Sequence, residues 1–123
     1  MSHTIAVLDD FLRDEPNGLK HHVTNRRWLA TMVRSLSSGA FAVRELGFDL
    51  AGPDHLDPPA FMAALGLDCG VAGWAAAWER QPSSEFVALL GERLGGVDAV
   101  VGFGLSNVAA IAVDRLGLPL IDI

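Results

Sequence analysis

Three short stretches of this 123-residue chain hold side chains from which chemistry could be built. The first is a cationic cluster. Lys20, His21, His22, Arg26 and Arg27 fall close together in an otherwise acidic protein. An imidazole titrates near neutrality, so His21 or His22 could act as a general base, although a surface histidine can equally be inert. Arg26 and Arg27 open a helical pattern, where the helix dipole disfavours cations, so an anionic group is expected nearby. That group is either a carboxylate (Asp9, Asp10, Asp14 or Glu15) or a phosphate or sugar-acid ligand, which Lys20 could help to hold.

The second stretch is Asp9-Asp10, at the end of the apolar run TIAVLDD. It reads either as a pair of carboxylates at a solvated strand end or as part of a site. A magnesium site would need a third carboxylate, and none stands close in sequence, so no metal is expected. A phosphorylatable receiver aspartate would need an aspartate ending the central strand and a lysine after a late strand. The chain has Gly102-Phe103-Gly104 at the first place, and Lys20 is its only lysine.

The third stretch is the turn GFGLSN, residues 102–107. Gly102, Gly104, Ser106 and Asn107 lie between a strand and a helix, where backbone N–H groups can approach an anion. The spacing is neither G-x-G-x-x-G nor a Walker A loop. The alternative is a glycine-permitted tight turn with Ser106 as the helix cap. A nucleophile elbow would want glycine where Val108 stands, and no histidine follows Ser106.

The elements that must position these residues follow from periodicity. TIAVLDD (4–10) is a buried strand, and residues 11–24, broken by Pro16, Asn17 and Gly18, form a long loop. Residues 25–38 put Trp28, Leu29, Met32, Val33 and Leu36 on one helical face, capped by Thr24 or Asn25 and ended by Gly39. Residues 40–50 hold a poorly alternating second strand. Asp57-Pro58 starts a short helix that Gly66 stops. GVAGWAAAWER (70–80) is apolar nearly all round and reads as a buried helix, with Trp74 and Trp78 on one face. Ser83 or Ser84 caps EFVALLGERL, with Phe86, Leu89, Leu90 and Leu94 inward. VDAVVGF (97–103), LSNVAAIAVDRLG (105–117) and LPLIDI (118–123) form a right-handed βαβ unit. The fold class is therefore α/β, a three-layer Rossmann-like sandwich with a mainly parallel sheet.

Bulk properties narrow the partners. The net charge of −6 argues against duplex nucleic acid. A single cysteine, Cys69, gives no disulfide framework and fits a reducing cytoplasm. No stretch is long and apolar enough for a transmembrane segment, and two aspartates arrive too early for a secretory leader. The last strand, buried on both faces, implies that a further lobe or a partner chain covers the sheet edge.

Residues 97–123, VDAVVGFGLSNVAAIAVDRLGLPLIDI, resemble the late βαβ unit in the N-terminal lobe of GT-B type glycosyltransferases. Asp98, Gly102, Gly104, Arg115, Leu116, Gly117 and Pro119 carry the likeness. The tryptophan-bearing helix GWAAAWERQPS ahead of it is similar to bacterial polysaccharide-biosynthesis transferases. The resemblance implies a single α/β domain over 1–123 that is the N-terminal, acceptor-side lobe of a longer cytoplasmic enzyme, peripheral at the inner membrane. A nucleotide-sugar donor would be held mainly by a second lobe, and no cofactor would sit in this one. His21, His22 or Asp10 would deprotonate a glycan or anionic small-molecule acceptor, with Arg26 and Arg27 holding its anionic group. Two other functions are open: a nucleotide- or phosphate-binding module using residues 102–107, and an interaction domain pairing through its sheet edge.

Overall fold

The computed structural model describes residues 3–12 and 16–123, and the backbone alone of residues 16–22 and 71. Four strands, β1 (His3–Asp9), β2 (Phe41–Leu46), β3 (Ala99–Phe103) and β4 (Leu120–Asp122), make one sheet in the order β2-β1-β3-β4. Every neighbouring pair is parallel. The helices are α1 (Pro16–Ser37), α2 (Pro58–Ala64), α3 (Val71–Trp78), α4 (Ser84–Arg93) and α5 (Asn107–Arg115). This is the expected three-layer α/β sandwich. No helix among the described residues is long and apolar enough to cross a membrane.

Alternation along β1 sorts the two layers. Ala6 and Leu8 point with Val100 into the larger core, which α2 to α5 cover. Ile5 and Val7 point the other way, with Val101 and Phe103, beneath Leu29, Ala30, Met32 and Val33 of α1. Local signals set the helix ends on the crowded side. The Ser83 hydroxyl accepts from the Phe86 N–H at 3.1 Å and donates to the Ala64 carbonyl at 2.6 Å, so one side chain caps α4 and ties it to α2.

Several sequence expectations need correction. The long loop over 11–24 is absent: Phe11 and Leu12 are fully buried, and α1 begins at Pro16. Proline at the first helical position has the right φ and no N–H to lose, so the Pro-Asn-Gly run starts this helix instead of preventing one. The cap is accordingly not Thr24 or Asn25. Phe11 packs edge-on to Phe61 (centroids 4.8 Å apart), and Phe61 packs edge-on to Phe86 at 5.3 Å. That cluster pulls the chain inward directly after Asp10. Trp28 and Leu36, expected on the inner face of α1, are 58% and 78% exposed. The apolar stripe of α1 is wider than the sheet surface beneath it. The helix α3 is not largely buried either. It rests on α2 and α5 as an outer layer, with Trp74 and Trp78 half-buried and edge to face at 5.4 Å.

Candidate functional site

In a parallel sheet the place for a ligand is beyond the carboxyl ends of the strands, where the order of connection reverses. Here the chain leaves β1 for β2 on one side and returns to β3 on the other, so the reversal lies between β1 and β3. Asp9 ends β1 opposite Phe103 in register, and Leu8 stands opposite Leu46. Parallel register therefore brings Asp9, Glu45 and the loop after β2 to one end of the sheet.

Arg26, on the middle turns of α1, lies at the centre of that end. Its guanidinium is fully buried. Nη1 donates to Asp9 Oδ2 at 2.7 Å and to Asp49 Oδ1 at 2.6 Å, Nη2 donates to Asp49 Oδ2 at 3.0 Å, and Nε donates to Glu45 Oε1 at 3.2 Å. One cation thus joins β1, β2, α1 and the following loop through three carboxylates. Gly47 makes the approach possible: a Cβ at that position would collide with Arg26 Nη1.

The three acids differ in exposure, and their titration follows. Asp9 is 0% exposed, and its Oδ1 has no hydrogen-bond partner among the described residues. Desolvation therefore prevails over the attraction of Arg26, and the carboxyl is pushed up from 3.8 to about 6. Asp49 keeps part of its side chain in water. Burial raises its pKa, but the hydrogen bonds and charge of Arg26 outweigh that and hold it below the usual carboxylate range. For Arg26 burial favours the neutral form, and the bonds to Asp49 with the charges of Asp9 and Asp49 reverse it, so its pKa lies above the ordinary value.

The expected site residues separate around this cluster. Asp10 is also buried, and its Oδ1 accepts from the Leu12 N–H at 3.4 Å; the solvated acidic pair is not what the fold makes. Arg26 is committed to carboxylates of its own chain, the first of the two readings open from sequence. Arg27 is exposed and adds a positive charge that lowers Asp49. Lys20, His21 and His22 have their backbone in the first turns of α1 and not in a loop, and their side chains fall outside the described residues. No group of three His, Cys, Asp or Glu among the described residues is arranged to hold a metal. Glu45, Gly47 and Asp49 were missed in the sequence reading. Their only signal was position, at the end of a strand parallel to β1.

The turn 102–107 is closed by its own chain. Leu105 N–H donates to Asp122 Oδ1 at 3.2 Å, and Gly104 N–H donates to the Ile123 carbonyl at 3.1 Å. The carboxylate of Asp122 thus stands where an anion would bind at the start of α5. Ser106 is buried and its hydroxyl accepts from the Ala109 N–H at 3.4 Å, a helix cap and not an exposed nucleophile. Gly102 leaves room for Leu105, whose Cδ1 would lie 2.5 Å from an added Cβ. Gly104 takes φ +62°, a conformation suited to glycine. Asn107 is exposed at the first turn of α5.

No protein family, curated protein or solved structure matches this chain.

Proposed function

We propose that this chain is the acceptor-side lobe of a glycosyltransferase, in which Asp9 takes the proton leaving an acceptor hydroxyl. The observation that supports it is the state of Asp9: wholly buried at the reversal of strand order, one oxygen without a partner among the described residues, its pKa raised to about 6. A base works best when its pKa lies near the working pH, and an ordinary aspartate is too weak for that. In the reaction the acceptor hydroxyl passes its proton to Asp9 Oδ1. Its oxygen bonds to the anomeric carbon of a nucleotide-sugar, the bond from that carbon to phosphate breaks, and the nucleoside diphosphate leaves. Arg26 orients Asp9 through Oδ2, and the residues packed over the buried Oδ1 must open to admit the acceptor.

This reading moves the base from His21, His22 or Asp10 to Asp9. It also changes the acceptor. Three carboxylates surround one guanidinium at this end, and Asp122 stands farther along the same end. Arg26, Arg27 and Arg34 are matched there by Asp9, Glu45 and Asp49, so little positive charge is left over for an anionic acceptor, and a neutral, hydroxyl-rich one that donates to carboxylates suits this end better. The phosphate-binding alternative through 102–107 draws less support, since Asp122 already satisfies that turn.

An NMR titration with neutral monosaccharides, run beside inorganic phosphate, tests the reading. Sugar-dependent shifts at the amides of Asp9, Asp10 and Gly104, with none from phosphate, are expected. Phosphate shifts confined to 102–107 would sink it. In the native protein, Asp9→Asn should lower nucleoside diphosphate release from a nucleotide-sugar by about 10²- to 10⁴-fold.

A further inference from the structure

Among the described residues, the charged groups around the Asp9 carboxyl are Arg26 of α1, Glu45 near the end of β2, Asp49 in the loop that follows, and Asp10, the next residue in the chain. A guanidinium has five N–H groups to give, and Arg26 divides them unevenly. Asp49 takes two in a forked pair, at 2.6 and 3.0 Å, Asp9 takes one at 2.7 Å, and Glu45 takes one at 3.2 Å. Two of these bonds leave the same nitrogen. Nη1 serves Asp9 Oδ2 and Asp49 Oδ1 together, so the two oxygens stand roughly 4–5 Å apart, close enough for like charges to contend. Nη1 is itself fixed, because it fills the place that a Cβ at residue 47 would take. Glu45 contends less. It is held through Nε, away from Nη1, and has Arg34 at 3.7 Å as a second cation. Exposure separates the contending pair: the Asp49 side chain is 23% exposed and that of Asp9 is 0%.

We propose that Asp49 is a positioning residue for Asp9: by turning the fork of Arg26 to the solvent side of the cluster, it leaves the buried carboxyl a single N–H and so lets it keep a proton. An ionised Asp9 with one N–H and no water lacks what would hold its charge. The negative charges of Asp49 and Asp10 act in the same direction. Neutralising Asp49 removes the competitor at Nη1 and turns the guanidinium charge toward Asp9. A ligand that donates a hydrogen bond to Asp49 from solvent does the same in smaller measure. Asp49 therefore links a carboxyl that sees no water to the surface of the molecule. The use of this link in a reaction rests on the reading of Asp9 as the base; the link itself does not, and it can be measured without substrate.

A carbon-detected NMR titration of the aspartate carboxyls in the intact chain tests it. In the wild type the Asp49 carboxyl should show a second, smaller inflection at the pH where Asp9 titrates. Asp49→Asn should lower the Asp9 midpoint by about one pH unit, a tenfold weaker hold on the proton. Glu45→Gln removes a charge from the same guanidinium but not from Nη1, and should move that midpoint much less. Asp49 lies outside the strands and helices with its side chain partly in water, so Asp49→Asn should keep the wild-type circular dichroism spectrum. The wild-type inflection reads the coupling without any variant. A single inflection for Asp49 overturns the proposal, and so does an unmoved Asp9 midpoint or an equal shift from the two variants. A transferase assay of the native protein is a separate readout: no sugar transfer, with the Asp9 midpoint moved as expected, would sink the catalytic reading and leave the coupling in place.

Discussion

The two halves of the sheet's carboxyl end handle acidic groups in opposite ways. On the β1–β2 half, carboxylates converge on one buried guanidinium, and Asp9 keeps an oxygen without a partner among the described residues. On the β3–β4 half, a lone carboxylate, Asp122, is satisfied by a backbone N–H at the start of α5. The first arrangement gathers three carboxylates around a buried arginine, with Arg27 and Arg34 at its margin. The second closes a turn. The difference is one of access and pairing: Asp122 is exposed and holds a backbone N–H through one oxygen, whereas Asp9 is buried and holds Arg26.

The strongest way to break this contrast is to remove the shared cation. Arg26→Met should destabilise the fold by about 3–5 kcal/mol in urea unfolding, because it leaves buried Asp9 without a counter-charge. Arg26→Lys should recover little, since a lysine cannot fork to Asp49 while reaching Asp9 and Glu45.

Titration sharpens the contrast next. The folded Asp9 binds its proton more tightly than the unfolded one, about 6 against 3.8. Its contribution to stability is therefore fully present below pH 3.8 and is lost as pH rises through about 6. The gap corresponds to ~3 kcal/mol. Asp49 has the opposite sign: its folded pKa is lowered, so its contribution is present above 3.8 and is lost as pH falls through its folded value. The unfolding free energy of the wild type minus that of Asp9→Asn should fall between pH 4 and pH 6.5, roughly, and a flat difference curve would rule out a titrating Asp9.

Two smaller effects probe the other half. Gly102→Ala drives a methyl group against Leu105 and should cost about 1–3 kcal/mol of overpacking, read as a lower denaturation midpoint. Asp122→Ala removes the acceptor for Leu105 N–H and should cost only about 1 kcal/mol. By emptying the anion position it should also let inorganic phosphate shift the amides of 102–107, which the wild type resists.

Much of the scaffold was legible in the residues. A short apolar run marked β1 and a valine-rich one β3, Ser83 and Ser106 marked helix starts, and Gly39 and Gly117 marked helix ends with positive φ. These signals are local, and tertiary packing did not overrule them. The start of α1 was misread because Pro16, Asn17 and Gly18 punctuate a loop and open a helix with equal ease. Asp9 was among the carboxylates expected beside Arg26, but Glu45 and Asp49 were illegible for a different reason. Arg26 meets its partners 17, 19 and 23 residues away, and only the register of two parallel strands and the length of α1 bring them together. Exposure of Trp28 and Leu36 was equally hidden, since helical spacing defines a stripe but not the width of the surface that receives it.

The closeness of Gly47 to Arg26 ties two distant codons into a single unit of inheritance. Any side chain at 47 evicts the guanidinium, and a shorter residue at 26 leaves a void where the glycine stands bare. Neither position can drift alone. A library that randomises both together should return Gly–Arg pairs, or joint replacements in which a small apolar residue at 26 comes with a bulkier one at 47 and neutralised acids around them, while every single-site variant is depleted.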